Sequence, residues 1–185
     1  MSLNLKNHFL IAMPNLLDPN FHQSVTYICE HDQKGAMGLM LTQTTNYLLG
    51  ELLQQLKINC IVPEIGQRKI MFGGPVEIQS GFILHRPAGN WQSSLHVTEE
   101  VTVTTSRDIL EALAVGQGPR ENIVTVGYAG WGPGQLEQEL ASNSWLTYPA
   151  DTDMLFKTSP GQLWHSAAKA LGIDLSLLSG DVGHA

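Results

Sequence analysis

Short apolar runs, separated by turn signals, dominate the first part of the chain. "HFLIAM", "SVTYICEH" and "AMGLML" have the length and composition of strands, and Asp18-Pro19 marks a turn after the first of them. Leucines then recur at helical spacing in "NYLLGELLQQLKI", which places one apolar face opposite polar residues. The pattern therefore predicts a strand-rich opening that is followed by a first helix.

Farther along, candidate strands alternate irregularly with candidate helices. "RKIMFGG", "SGFILHR", "HVTEEVTVTT" and "NIVTVGY" are typical of strands, whereas "SRDILEALAVG" and "GQLEQELAS" have helical spacing. In "SPGQLWHSAAKALG" we expect Ser159 as N-cap, Pro160 in the first turn, a capping box with Gln162 and a left-handed stop at Gly172. This order favours an α+β fold with a mixed sheet, and we expect a single domain over residues 1–185.

The composition narrows the class of protein. Hydrophobic residues make up 43% of the chain and charged residues 15%, which is typical of a globular protein and predicts no membrane span. The net charge of −7 and the scattered Lys and Arg residues predict that nucleic acid is not bound directly. The first residues lack the pattern of a secretory signal, so we expect a cytoplasmic protein.

The stretch "VGYAGWGPGQLEQEL" places glycines densely between a strand and a helix. Free backbone amides at such a place can hold a phosphate, but Pro133 has no amide hydrogen and the glutamates of the helix compete with an anion. The alternative is that Gly130 and Gly132 let the backbone approach a neighbour and let Trp131 turn inward. We favour this alternative and expect Trp131 to be buried.

Four segments together carry a resemblance to a known family: "FLIAMPNLLDPNFHQSVTYICEHDQKGAMGLML", "GGPVEIQSGFILH", "GYAGWGPGQLEQELASNSWL" and the closing "GDVGHA". They resemble, in order and over nearly the whole chain, the AlgH/YqgE family of bacterial proteins. The resemblance implies a cytoplasmic α+β domain with a mixed, partly barrel-like β-sheet surrounded by helices. It implies no known chemistry, although one branch of the family carries the label of a transcriptional regulator of alginate synthesis.

The chain departs from the usual family pattern at two places. It has Thr42-Gln43-Thr44 where members usually continue with an Asn-Arg-Pro turn, and Gln79 and Ser80 where they usually carry an acid and an arginine. Any role that the family builds on that charged pair is therefore in doubt for this chain.

Cys29 and His31 are the first candidates for chemistry. They lie two residues apart on a predicted strand, so strict alternation places them on one side and Glu30 on the other. They could form a nucleophile pair or the start of a metal site, but an inert buried cysteine is the more common arrangement, and we favour it. Because the other histidines are dispersed, we predict no metal site and no cofactor. Glu137, Glu139 and Asp181 could converge in space, although solvated faces explain most such charges.

The sequence therefore indicates the family more clearly than the activity. We expect a binding or regulatory domain that recognises a partner protein or a small ligand, with an enzyme that uses a cleft at the glycine motifs as the alternative. "ICEH", "GGPV" and "GYAGWG" are expected to meet on one face, where Gly73, Gly74 and Pro75 form a rigid break. The predicted rim of the site consists of Cys29, His31, Gly73, Gly74, Pro75, His85, Gly130, Trp131 and Gly132.

Overall fold

A computed structural model describes residues 2–178 of the chain, and the closing "GDVGHA" motif with Asp181 lies outside these residues. The strands are β1 (His8–Ala12), β2 (Val25–Asp32), β3 (Gly35–Met40), β4 (Thr44–Leu48), β5 (Lys69–Phe72), β6 (Val76–Arg86), β7 (Ser94–His96), β8 (Thr102–Thr104), β9 (Glu121–Trp131) and β10 (Trp145–Pro149). The helices are α1 (Leu49–Gln55), α2 (Pro63–Gly66), α3 (Arg107–Ala114), α4 (Gln135–Ala141), α5 (Thr152–Lys157), α6 (Pro160–Ala170) and α7 (Leu175–Leu178).

The chain divides into two compact units. The first, which we call the terminal unit, comprises the chain up to Thr42 and from Ala129 onwards, and the second, the central unit, comprises Gln43–Tyr128. β9 crosses the boundary between them. The expectation of a single domain over residues 1–185 stays a prediction.

In the terminal unit, antiparallel strands follow the order β10-β1-β2-β3 and continue to the last residues of β9. β2 is buried without interruption from Val25 to Cys29, since α6 packs against β1 and β2 while α4 packs against β3 and β10. The Trp164 indole on α6 donates a hydrogen bond of 2.9 Å to the carbonyl of Ala12 in β1. A core cluster of this unit consists of Leu5, Leu10, Ala12, Ile28, Ala129, Trp131, Leu136 and Trp145.

In the central unit, β9 pairs in parallel with β5 and antiparallel with β6, which in turn pairs with β8. β4 lies beside β5, and β7 lies beside β8. Parallel and antiparallel pairs occur together, so the predicted α+β class with a mixed sheet is confirmed. The apolar faces of α1, α2 and α3 meet in a core cluster that consists of Leu49, Leu53, Ile58, Ile65, Ile70, Ile83, Ile109, Leu110, Leu113, Ala114 and Val124.

Local signals predicted most of these elements, and the structure differs from the prediction in several details. Pro160 begins α6 and Gly172 has a φ of 74°, as expected for a left-handed stop. The capping box is wrong, because no side chain caps this helix and the backbone N–H of Gln162 donates instead to the carbonyl of Ser159 at 3.0 Å. "HVTEEVTVTT" forms two short strands, β7 and β8, because the Thr98 hydroxyl accepts hydrogen bonds from the backbone within a turn between them.

Candidate functional site

His31 lies near the end of β2, just after an irregularity in the pairing of this strand with β3. The pairing with β3 shifts register between Ile28 and Glu30, so that Cys29 is an extra residue in a β-bulge. Strict alternation does not hold across a bulge, but burial still alternates after it, with Cys29 and His31 buried and Glu30 exposed between them. Ile28 packs in the same cluster as α4, and His31 also reaches that helix, where it contacts Glu137.

The hydrogen bonds of His31 fix the tautomer of its ring. The backbone N–H of Leu5 lies 2.9 Å from Nδ1, which must therefore act as an acceptor without a proton. The ring proton of neutral His31 is then on Nε2, which lies 2.6 Å from Oε1 of Glu137 and donates to it. With a side chain that is 1% exposed, His31 has both nitrogens engaged inside the protein.

Glu137 is the exposed member of this pair. It lies in the first turn of α4, and 42% of its side-chain surface is accessible to solvent. A hydrogen bond from its own backbone, followed by the hydrogen bond from His31, holds the pKa of its carboxyl group below the usual value. Near neutral pH the residue is therefore a carboxylate whose orientation is set by a buried imidazole.

A cavity of about 350 Å³ opens in front of this carboxylate. Its walls are formed by residues 2–4, by the turn at residues 31–34 and by Glu137, and we call it the His31–Glu137 pocket. The turn contributes charges of both signs: an oxygen of Asp32 accepts the backbone N–H of Lys34 at 2.7 Å, and the Lys34 side chain also lines the cavity. The described part of the lining thus includes the acidic residues Asp32 and Glu137 and the basic residue Lys34.

Cys29 is buried in the terminal unit and does not line this pocket. Its thiol lies 3.6 Å from the carbonyl of Tyr27, to which it donates a weak hydrogen bond. Burial, with the nearby charge of Glu30, raises the pKa of the Cys29 thiol well above its usual range. This environment is typical of an inert cysteine and disfavours a nucleophilic thiolate.

Trp131 is buried, as predicted, and 6% of its surface is exposed. Its indole N–H donates to Oε2 of Glu139 at 2.6 Å, and the indole of Trp145 donates to the same oxygen at 3.1 Å. The two rings meet edge to face at 6.3 Å, and Phe21 packs against both. Glu139 therefore joins two core tryptophans and belongs to the scaffold beneath α4.

The glycine loop after β9 uses its free amide within the protein. The N–H of Gly132 donates to Oε1 of Gln135 at 3.0 Å, so this amide is engaged and does not await an anion. Gly130 pairs with Met37 across the sheet. A side chain at Gly35 would place its Cβ 2.1 Å from the carbonyl oxygen of Trp131, which is closer than any real contact. The close approach at this place is thus made by Gly35, whereas a Cβ at Gly132 would meet only Oε1 of Gln135, at an ordinary 3.9 Å.

In the central unit, the predicted residues Gly73, Gly74 and Pro75 follow β5 directly. The N–H of Gly73 donates to the carbonyl of Val126 at 2.8 Å. Gly127 has a φ of 73°, and a Cβ there would lie 2.1 Å from the carbonyl oxygen of Gly74. These glycines thus permit contact between two backbones, which only residues without a Cβ allow.

His85 is fully buried on β6 and belongs to a chain of hydrogen bonds. Its Nδ1 donates to the carbonyl of Pro87 at 3.0 Å, so that its Nε2 accepts the hydroxyl proton of Thr104 at 2.7 Å. The hydroxyl of Ser94 lies 2.8 Å from that of Thr104 and completes the chain. Burial lowers the pKa of His85, which is therefore neutral and satisfied within the sheet.

A second cavity, of about 520 Å³, lies in the central unit. An ion pair between Arg86 and Glu121 forms part of its wall, together with Arg120. Glu99 and Glu100 from the turn between β7 and β8 also line it. None of the residues predicted for the rim of a site is among the residues that line this cavity.

The predicted rim residues therefore fall into two groups, one in each unit. Gly73, Gly74, Pro75 and His85 belong to the central unit, and Cys29, His31, Gly130, Trp131 and Gly132 belong to the terminal unit. "GYAGWG" itself is divided, since Gly127 and Tyr128 belong with "GGPV" and the rest belongs with "ICEH". The meeting of the three motifs on one face stays a prediction.

Sequence reasoning missed most of the pocket. Ser2, Leu3 and Asn4 lie outside the quoted motifs, Asp32 and Lys34 were part of a family segment but were given no role, and Glu137 appeared only as one of several surface carboxylates. Among residues 2–178, no three His, Cys, Asp or Glu side chains come together as metal ligands. In the same part of the chain, no helix combines the length and the hydrophobicity that a membrane crossing requires.

Comparisons with known proteins give a consistent result. A family model described as AlgH-like matches residues 9–176. A UPF0301 protein of Thioalkalivibrio sulfidiphilus is 55% identical over 184 residues, which cover 100% of this chain and 98% of that protein. A UPF0301 protein of Nitrosococcus oceani is 50% identical over 180 residues, which cover 97% of this chain and 96% of that protein.

Solved structures support the same conclusion about the fold. The solution structure of the AlgH protein from Pseudomonas aeruginosa superimposes with a TM-score of 0.81 at 46% identity, over 100% of this chain and 98% of that one. This confirms the predicted α+β fold with its mixed, partly barrel-like sheet. A crystal structure of a protein from Corynebacterium diphtheriae has a TM-score of 0.74 at 19% identity over 96% of this chain and 93% of that one, and shows the fold alone.

Proposed function

The chain belongs to the AlgH-like family of UPF0301 proteins, and we propose that it is a binding domain whose ligand site is the His31–Glu137 pocket. The ligand is a small molecule or an exposed group of a partner protein that enters the pocket. A regulatory role would follow from this binding and not from direct contact with DNA. A cytoplasmic location and the role of a regulator stay predictions.

The observation that carries the proposal is the arrangement of His31 between Leu5 and Glu137. Because Nδ1 accepts a backbone N–H and Nε2 donates to the carboxylate, the ring has no free nitrogen with which to take a proton from a substrate. His31 is therefore a positioning residue, and it holds the Glu137 carboxylate at the mouth of a cavity before any ligand arrives. A charged group that is fixed in advance is typical of recognition sites, because little entropy is lost on binding.

The alternative of an enzyme at the glycine motifs has less support. The Cys29 thiol is buried with a raised pKa, and the Gly132 amide is already bonded to Gln135. In the central unit, the larger cavity has an Arg86–Glu121 ion pair in its wall, so these two charges are already matched. The carboxylate of Glu137 is instead matched by a neutral imidazole, which leaves its negative charge available to a ligand.

The expectation about DNA follows from charge. A duplex binds mainly through cations that release counterions from its phosphates, and this chain carries 10 Lys and Arg residues against 17 Asp and Glu residues. We expect no retention of duplex DNA by the purified protein at physiological salt in a gel-shift assay. Sequence-specific retention at that salt would contradict the proposal that regulation is indirect.

A fragment screen observed by ¹⁵N–¹H correlation NMR tests the proposed site. We expect saturable shifts to cluster on the amides of Leu5, of the turn at residues 31–34 and of Glu137. Glu137→Ala should abolish them, whereas Gln138→Ala, which alters an exposed neighbour on α4, should not. Fragments that shift only the lining of the Arg86–Glu121 cavity, or that bind equally well to Glu137→Ala, would refute the assignment of the site.

A further inference from the structure

We infer that the His31–Glu137 pocket binds an organic cation that carries N–H donors, a primary ammonium or a guanidinium group, through the carboxylate of Glu137. The inference rests on the proposed function and adds the chemical class of the ligand. Such a group can belong to a free amine metabolite or to a basic side chain of a partner protein, and in both cases it offers a positive charge and N–H donors to the carboxylate.

The first argument is the state of Glu137. Its carboxyl group is ionised near neutral pH, and a side chain that is 1% exposed holds one of its oxygens at 2.6 Å. An ammonium or guanidinium group that meets such a carboxylate forms a charge-assisted hydrogen bond, which is shorter and stronger than a bond between neutral groups. The orientation needed for that bond exists before binding.

The second argument is the balance of charge around the cavity. Asp32 adds a second carboxylate to the wall, and its contact with the backbone of Lys34 holds it within the turn. Among the described residues of the lining, two carboxylates stand against one ammonium group, which gives this part of the wall a negative charge of the same sign as the net charge of −7 of the whole chain. Long-range attraction therefore favours the approach of cations and disfavours anions.

The third argument is the kind of surface that the walls present. Besides the acidic residues, Ser2 and Gln33 line the cavity, and the oxygen of a hydroxyl or of an amide can accept a hydrogen bond from an N–H donor. Quaternary ammonium groups are usually recognised on the faces of Trp, Tyr or Phe rings, and the described residues of this lining include none of these three types. The walls thus suit a cation that donates hydrogen bonds better than one that lacks N–H groups.

Simple probes test the inference. We would titrate the full chain at constant ionic strength with ethylammonium, methylguanidinium, tetramethylammonium and acetate, and follow the amides of Leu5, Asp32 and Lys34 by NMR. We expect saturable shifts with the two probes that carry N–H donors. Equal or stronger binding of tetramethylammonium or acetate at these amides would overturn the inference.

Two variants make the test specific. Glu137→Gln keeps an oxygen that accepts the Nε2–H of His31 but removes the charge, so we expect at least a roughly tenfold loss of affinity for the cationic probes. Glu30→Gln removes an exposed carboxylate from the same end of β2, outside the pocket, and should leave the affinity within about twofold. Unchanged affinity in Glu137→Gln, in a variant whose spectrum shows the native Leu5 and His31 signals, would refute the inference.

The failure of this inference is distinguishable from the failure of the proposed function. If neutral or anionic fragments bind in the pocket while the cationic probes do not, the class of ligand is wrong and the binding site stands. If no fragment and no cationic probe shifts the pocket amides, both the ligand class and the proposed site are wrong.

Discussion

Replacement of Trp131 with alanine tests whether the loop after β9 is a scaffold or a binding platform. The ring is 6% exposed, packs against Phe21 and Trp145, and donates its indole N–H to Glu139. Its removal would leave a large cavity between α4 and the sheet and would take away one of the two indole donors of that carboxylate. A buried structural ring and an exposed platform therefore predict opposite results.

The expected magnitude follows from the size of the side chain. Truncation of a buried tryptophan to alanine costs roughly 3 to 5 kcal/mol. For a chain of 150 to 250 residues, each kcal/mol lowers the melting temperature by about 2 to 4 °C, so the variant should melt roughly 6 to 20 °C below the parent protein. Since native stability is about 5 to 15 kcal/mol, this loss is a large share of the total.

Calorimetry, together with far-UV circular dichroism, measures the loss. Tyr47→Ala is the matched control, because it also removes a large ring, but from a side chain that is 65% exposed, and it should change stability by less than about 0.5 kcal/mol. If Trp131→Ala melts within 2 °C of the parent, or no lower than the control, the scaffold interpretation is wrong and the loop glycines need another explanation.

Three further predictions concern the glycine contacts, the cysteines and the response to acid. Gly127→Ala should destabilise the protein by more than roughly 2 kcal/mol in urea unfolding, because the φ of this residue is positive and the new Cβ would meet Gly74. The control is Gly161→Ala, in open space on α6, which should be neutral or stabilising. A comparable stability of the two variants would contradict the close approach. In the native protein the half-buried Cys60 should react with Ellman's reagent before Cys29, which is fully buried and should react only on unfolding. Reaction of both thiols at the same rate before unfolding would show that Cys29 is accessible. Because the pKa of Glu137 is lowered in the folded state, its carboxylate contributes stability that is fully present when the pH is above the ordinary carboxyl pKa of about 4.3. This contribution is lost as the pH falls through the lowered pKa. Glu137→Gln should therefore lose less stability than the parent between pH 7 and pH 3, and equal losses would contradict the assignment.

Local signals predicted the elements whose determinants lie close together in sequence. α6 has a proline in its first turn and a glycine after its end, and α1 follows its leucine spacing. β4 and β10 were missed, because "TTNYL" and "WLTYP" become strands only through distant partners: Met71 lies opposite Thr44, and Ala12 lies opposite Trp145. Asp151 caps α5 through the N–H groups of Asp153 and Met154, a signal that was present in the sequence and was overlooked.

The candidate site was less accessible to sequence reasoning than the fold. His31 was identified from its neighbour Cys29, but the β-bulge at Cys29 leaves no mark in the residue pattern. Its partner Glu137 is 106 residues away, and the Leu5 amide that sets its tautomer belongs to a segment without a motif. The glycines indicated that backbones approach closely, but only the fold shows that Gly35 faces Trp131 and that Gly127 faces Gly74.

The interrupted order of the terminal unit has a consequence for synthesis on the ribosome. β1, β2 and β3 emerge first. The two strands that flank them in the sheet, β10 and the last residues of β9, come after Gln43–Tyr128 in the sequence. At about 5 to 20 residues per second, translation of the intervening stretch takes on the order of 5 to 20 seconds, during which the nascent three-stranded sheet has two open edges. The central unit is continuous in sequence, so it can complete its sheet as soon as β9 emerges at the end of that delay. Chaperone demand and aggregation of nascent chains should therefore depend on the first 42 residues more than on the rest of the chain.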